Sequence, residues 1–280
     1  MSTRNAAQYM NTQDILDVTR DGPVLRLTLN RPAKRNALND ALASRLEGVL
    51  GTVDPTIRAI LIDAQGPHFC AGLDLSEQKD RGPLEVHQVS RRWHAIQERL
   101  QFGPPVVASL HGAVIGGGFE LAATAHVRIA DRSAFFQLPE GRRGLFIGGG
   151  GSVRISRLIG VSRLTELILT GRQVDADQAE RIGLVHRLVE NGTADAVALE
   201  TAHAIAGNAP LVNYLIVHAL PRIADMSAAD GLFTESLAAS LSHASADAHA
   251  GMQEFLNRSR APGANDHPSE PAASPGGKGP

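Results

Sequence analysis

The sequence predicts an α/β fold on two observations. Beyond Asn30, strand-like apolar runs alternate with helix-period segments, and after about Val185 only helical patterning continues. Ile15, Leu16 and Val18 precede Asp21-Gly22, and Val24, Leu25, Leu27 and Leu29 follow, so two strands meet at a tight turn. Asn39 or Asp40 opens a helix over residues 41–50, and Ile57 to Ile62 forms a buried strand. Val86, Val89, Trp93, Ile96 and Leu100 recur at helical spacing until Pro104-Pro105 stops them, and Val106 to Leu110 is the next buried strand. His126 heads a strand running from Val127 to Ala130. Helical patterning then covers residues 201–206, 210–219, 232–241 and 246–256, and no internal repeat of fixed length is visible. Five of the fifteen prolines fall in residues 262–280, which hold almost nothing to bury. The expected division is a flexible N-terminus (1–13), an α/β core (14–200), a helical region (201–261) and a disordered tail (262–280).

Lysine and arginine (27) nearly balance aspartate and glutamate (29). No global basic field is therefore available for nucleic acid or an anionic membrane, and an anionic ligand must be held locally. No apolar run reaches the roughly 18 residues of a membrane span. The single cysteine, Cys70, excludes an intramolecular disulfide framework, and the first residues lack the apolar centre of a signal peptide, so the expected compartment is the cytoplasm.

Four loops concentrate glycines or carboxylates: residues 29–39, 69–75, 111–120 and 139–151. Gly116-Gly117-Gly118 follows a strand and opens a helix, an arrangement that presents free N–H groups to an oxyanion and serves tight packing equally well. Neither glycine run completes G-x-G-x-x-G or precedes Gly-Lys-Ser/Thr, so dinucleotide and P-loop sites are excluded by spacing. No G-x-S-x-G elbow exists, and Ser109 and His111 make a poor pair at a strand end. Glu120 and Glu140 lie among apolar neighbours (Phe119, Leu121, Phe135, Phe136, Leu138), which places both in or beside the core. Two partly buried carboxylates facing one cavity can divide acid and base roles.

These residues together resemble the crotonase (enoyl-CoA hydratase/isomerase) superfamily. The resemblance rests on Leu29-Asn30-Arg31-Pro32 with Asn36-Ala37-Leu38-Asn39, on Phe69 to Leu75, on Gly112 through Gly116 to Ala122, on Pro139-Glu140 with Gly144, and on Leu169-Thr170-Gly171, Gly183-Leu184-Val185 and Gly251-Met252. It implies a spiral of β-β-α turns with a C-terminal all-helical trimerisation region, giving trimers or hexamers. It also implies an acyl-CoA thioester as substrate, with the backbone N–H groups of Leu73 and Gly117 as an oxyanion hole and Glu120 and Glu140 as catalytic groups. Lys34, Arg35, Ala37, Ala71, Gly72, Asp74, Leu75 and Gly116 correspond to the coenzyme A and substrate path; Lys34 and Arg35 read equally as a solvated basic turn. The chain departs from the family at Ile147, where proline is usual, and at His126, which replaces an aspartate. His126 is read as a packing or hydrogen-bonding residue, Cys70 as a small buried thiol and Trp93 as core.

Retention of both glutamates points to hydration of a trans-2-enoyl-CoA to a 3-hydroxyacyl-CoA, or the reverse, with no metal and no cofactor beyond the coenzyme A of the substrate. The alternatives are double-bond isomerisation by Glu140 alone and a catalytically silent acyl-CoA binder.

Overall fold

The computed structural model describes residues 15–259; the segments expected to be flexible (1–13) and disordered (262–280) lie outside them. Strands β1 (Leu16–Asp21) and β2 (Val24–Leu29) form the expected antiparallel hairpin, with Asp21 opposite Val24 and Gly22 at φ 56 in the turn.

From β2 the chain builds one unit four times: a strand in a large sheet, a short extended piece in a second layer, then helix. The first is β2, the Leu38 bridge and α1 (Asp40–Gly51), whose Asn39 cap accepts from the Leu42 amide. The second is β3 (Ala59–Ala64), residues 70–73, then α2 (Leu75–Gln78) and α3 (Pro83–Gln101). Next come β4 (Val106–Leu110), β5 (Ala113–Ile115) and α4 (Gly117–Ala122). The fourth has β6 (Val127–Asp131), β7 (Phe135–Gln137), α5 (Gly151–Ile159) and α6 (Val161–Thr170). Their large-sheet strands begin at 24, 59, 106 and 127, an uneven spacing that explains why no sequence period is visible. After β8 (Gln173–Asp175) and α7 (Ala176–Arg181) comes β9 (Arg187–Val189).

The large sheet runs β1-β2-β3-β4-β6-β9, parallel after the first pair, and the smaller one runs β5-β7-β8. β9 corrects the expectation that strands end near Val185: it pairs with β6 at the sheet edge. Three half-exposed residues there carry no apolar run for a sequence reading to find.

The main core fills the space between the sheet and helices α1, α3 and α4 to α6. On the opposite face lies α8 (Ala194–Ala206), which buries Ala194, Ala198, Ala202 and Ala206 against Val24, Ala59, Leu61, Val107 and Ile129. Alanines at four-residue spacing form one short-sided stripe that lets the helix approach closely. This helix crosses the boundary expected at residue 200. It is tied down by Arg26 of β2, which pairs with the buried Asp63 of β3 and donates to Asp195 at 2.8 Å.

Helices α9 (Pro210–Ile223), α10 (Ala228–His243) and α11 (Ala246–Ser259) bury little, and Tyr214, Leu220, Leu232, Phe233, Leu237, Leu241 and Phe255 are all exposed. Among the described residues no helix is long and apolar enough to cross a membrane.

Candidate active site

The second-layer pieces create the site. Leu38 donates to the Gly72 carbonyl and accepts from the Asp74 amide, both at 2.8 Å, while Cys70 is bonded to Ala113 and Ile115 on the other side. In such a parallel bridge the residue facing Leu38, Leu73, turns its own N–H the opposite way, toward the start of α4. There Gly117 is the first helical residue and so has no intrahelical acceptor for its N–H. Neither amide is bonded to another backbone group among the described residues. The two sit together: a Cβ on Gly72 would lie 3.4 Å from the Gly117 nitrogen, and one on Gly117 would lie 3.5 Å from the Leu73 nitrogen.

One turn into α4, Glu120 is 3% exposed. Its Oε1 accepts from the amides of Gly149 and Gly151 at 2.8 and 2.9 Å, so the second glycine-rich loop wraps the carboxyl. Burial pushes its pKa up to about 7, and the nearby Glu140 adds to the rise against the two amides and Arg154. Glu140 follows β7 and Pro139. Its Oε2 is buried with no hydrogen-bond partner among the described residues, and its Oε1 packs where a Gly116 side chain would begin. Burial raises this pKa too, opposed by its own backbone amide and by Arg143.

Both carboxyls and both amides border one cavity of about 620 Å³. Its remaining wall is largely apolar, from Val86, Val89 and Trp93 of α3 to Leu145, Phe146 and Ile147 of the loop before α5. Phe146, 78% exposed, stands at the mouth. Buried acids, free amides and an apolar slot suit proton transfer beside a carbonyl whose oxygen gains charge.

A family model described as enoyl-CoA hydratase/isomerase matches residues 19–263, most of the chain. The chain belongs to the enoyl-CoA hydratase/isomerase family. It is 35% identical to the short-chain-enoyl-CoA hydratase of Clostridium acetobutylicum over 72% of this chain and 79% of that one. To the 2,3-dehydroadipyl-CoA hydratase of Escherichia coli it is 34% identical over 87% and 96%. A crystal structure of a candidate enoyl-CoA hydratase from Rhodopseudomonas palustris superimposes with a TM-score of 0.85 at 45% identity, covering 89% of this chain and 98% of that one. The expected crotonase-like fold is thereby established, down to the β-β-α turns.

Of the positions that the enoyl-CoA hydratase/isomerase resemblance singled out, Ala71, Gly72, Leu73, Leu75, Gly116, Gly117, Glu120 and Glu140 line the cavity. Lys34, Arg35 and Ala37 do not. Lys34 and Arg35 are exposed on the turn before α1, and Ala37 gives its carbonyl to Arg31 at 2.6 Å. The Asp74 carboxylate is occupied by Arg31 at 3.1 Å and by Ser76, which hold its pKa below the usual range. Arg31, present in the Leu29-Asn30-Arg31-Pro32 motif without an assigned role, is thus a brace between the two loops. His126 accepts from the Val106 amide through Nδ1 and donates through Nε2 to the Gln101 carbonyl, the hydrogen-bonding role expected of it. Cys70 is fully buried, its thiol pushed up to about 12 by that burial.

Trp93 is buried, and it is also cavity wall, as is Gln97 one turn further along α3. The sequence signal for Gln97 was a polar residue four positions from Trp93, on the same helical face.

Proposed function

We propose that this member hydrates a trans-2-enoyl-CoA to the 3-hydroxyacyl-CoA and catalyses the reverse reaction. The observation that carries the reading is the meeting of two buried carboxyls and two free amides around one apolar cavity. The thioester oxygen accepts from Leu73 and Gly117, which draws electron density from the β-carbon and holds the enolate charge that develops. Glu120, ionised, takes a proton from water as the water oxygen bonds to the β-carbon. Glu140 delivers its proton to the α-carbon, so one water is added across the double bond. Transfer of a proton from Glu120 back to Glu140 restores the starting state. Burial serves this division, because an acid near neutrality both holds and releases its proton at working pH.

Loss of the conjugated thioester absorbance of crotonyl-CoA measures the reaction. Activity is expected, with Glu120→Gln and Glu140→Gln each lowering kcat by at least about 10²-fold. Full hydration by Glu120→Gln would refute the two-carboxylate mechanism, whereas double-bond migration with no hydration would support the single-carboxylate isomerase. A homotrimer, or a hexamer of two trimers, belongs to the same proposal, supported by the uncovered apolar residues of α9 to α11.

A further inference from the structure

The lining of the cavity along α3 includes polar groups that take no step in the proposed reaction. Burial increases along this wall: Val86 is 47% exposed, Val89 and Ser90 are half-buried, Trp93 is 3% exposed and Gln97 only 1%. The most buried of these side chains carries an amide.

That amide is held in one orientation. Gln97 Oε1 accepts from Arg154 Nη1 at 2.9 Å, and the same guanidinium is fixed through Nε to Gln101 Oε1 at 2.9 Å. Nε2 has no hydrogen-bond partner among the described residues, and Gln97 is part of the cavity lining. One turn nearer the mouth, the Trp93 indole N–H is likewise unbonded among them. A donor shut away from water without a partner is costly, and an alkyl tail lying along this wall would strand two. Donation from Arg154 into Oε1 also polarises the amide and strengthens its N–H groups as donors.

We infer that the acyl group taken by this enzyme carries an uncharged oxygen, a hydroxyl or carbonyl, beyond the double bond, and that Gln97 Nε2 donates to it. The oxygen is taken as uncharged because the groups that would meet it, the Gln97 amide and the Trp93 indole, are neutral donors, while the Arg154 guanidinium beside them is already engaged by Gln97 and Gln101. A site built around hydrogen-bond donors rejects the analogue lacking the acceptor more strongly than an apolar slot rejects a missing methylene. The inference rests on the acyl-CoA reading of the cavity.

Calorimetric titration tests it without turnover. Saturated acyl-CoA esters of short to medium length are compared in pairs, alkyl against ω-hydroxy, on the wild-type chain and on Gln97→Leu. At one chain length the hydroxy ester should bind at least about tenfold more tightly to the wild type, and that advantage should vanish in Gln97→Leu. Equal or tighter alkyl binding at every length overturns the inference, as does an advantage that survives Gln97→Leu. An ω-carboxylate ester binding more tightly than the hydroxy ester overturns its uncharged character. If Gln97→Leu does not fold, the wild-type pairs alone decide. Binding of the esters without a hydroxyl preference removes only this inference; no ester bound and no crotonyl-CoA hydrated would remove the proposed function with it.

Discussion

Gly116 and Gly118 lack a side chain for two different reasons, and Gly117 between them is far less constrained. At Gly116 φ is 53, and a Cβ would lie 2.6 Å from Glu140 Oε1. At Gly118 it would meet the Cys70 backbone and thiol at 2.5 to 2.7 Å. Gly117 has ordinary torsions, and its Cβ would meet the end of the Leu38 side chain at 3.3 Å and the Leu73 side chain and nitrogen at 3.5 Å. The glycine with a positive φ at the helix start is Gly116, one residue before the first helical residue Gly117. Gly116→Ala should therefore displace Glu140 and lower kcat by at least about tenfold, whereas Gly118→Ala should act on stability, by roughly 1–3 kcal/mol. Paired kinetics and thermal melts distinguish the two. Glu120 adds a pH signature. Folding raises its pKa from the ordinary carboxylate range to about 7, so the folded chain keeps a proton that the unfolded chain releases, and stability falls as pH rises through that window. Glu120→Gln should raise Tm by several degrees at about pH 8 and leave it unchanged near pH 4. The same substitution should remove the limb near pH 7 from the kcat/KM profile; persistence of that limb would assign it to another group. Both glutamates were legible in the sequence because their apolar neighbours betray burial. Arg154 was not, since its role comes from reaching Gln97 across 57 residues of chain.

At the scale of elements, α8 is held to the sheet by one cation shared between two acids. Asp63 is buried in β3, and burial raises its pKa to about 6 despite the neighbouring Thr28 hydroxyl and Arg26. Removing Arg26 would leave a buried carboxylate without its cation. Arg26→Ala should cost about 3–5 kcal/mol near pH 8 and less near pH 5, where Asp63 takes up a proton instead; Asp195→Ala, at a half-exposed position, should cost under about 1 kcal/mol. Chemical denaturation at the two pH values measures both. The strand-turn-helix order was readable because β2 alternates leucines with polar residues, β3 and β4 are largely apolar runs and α3 carries a clean helical stripe. Extended pieces of the second layer were not, because Leu38 and Cys70 each contribute a single bridge, too short for any periodicity.

On the scale of the whole molecule, the three last helices leave an apolar surface that a single chain does not cover. Light scattering at micromolar concentration should give a trimer or hexamer, and Phe233→Glu with Leu237→Glu should shift it toward monomer; a monomeric wild type would refute the proposed assembly. Where the core lies has a kinetic corollary. Strands β3 and β4 are covered on both faces, by the main core and by the alanine stripe of α8, whereas the loop carrying Leu145 and Phe146 has solvent on one side. Backbone amides of the central strands can then exchange with deuterium only when the entire domain opens, while those of residues 141–148 exchange through local excursions of far lower free energy. Hydrogen-exchange mass spectrometry is expected to show that contrast, with the mouth labelled long before the scaffold beneath it; equal protection at both would refute it.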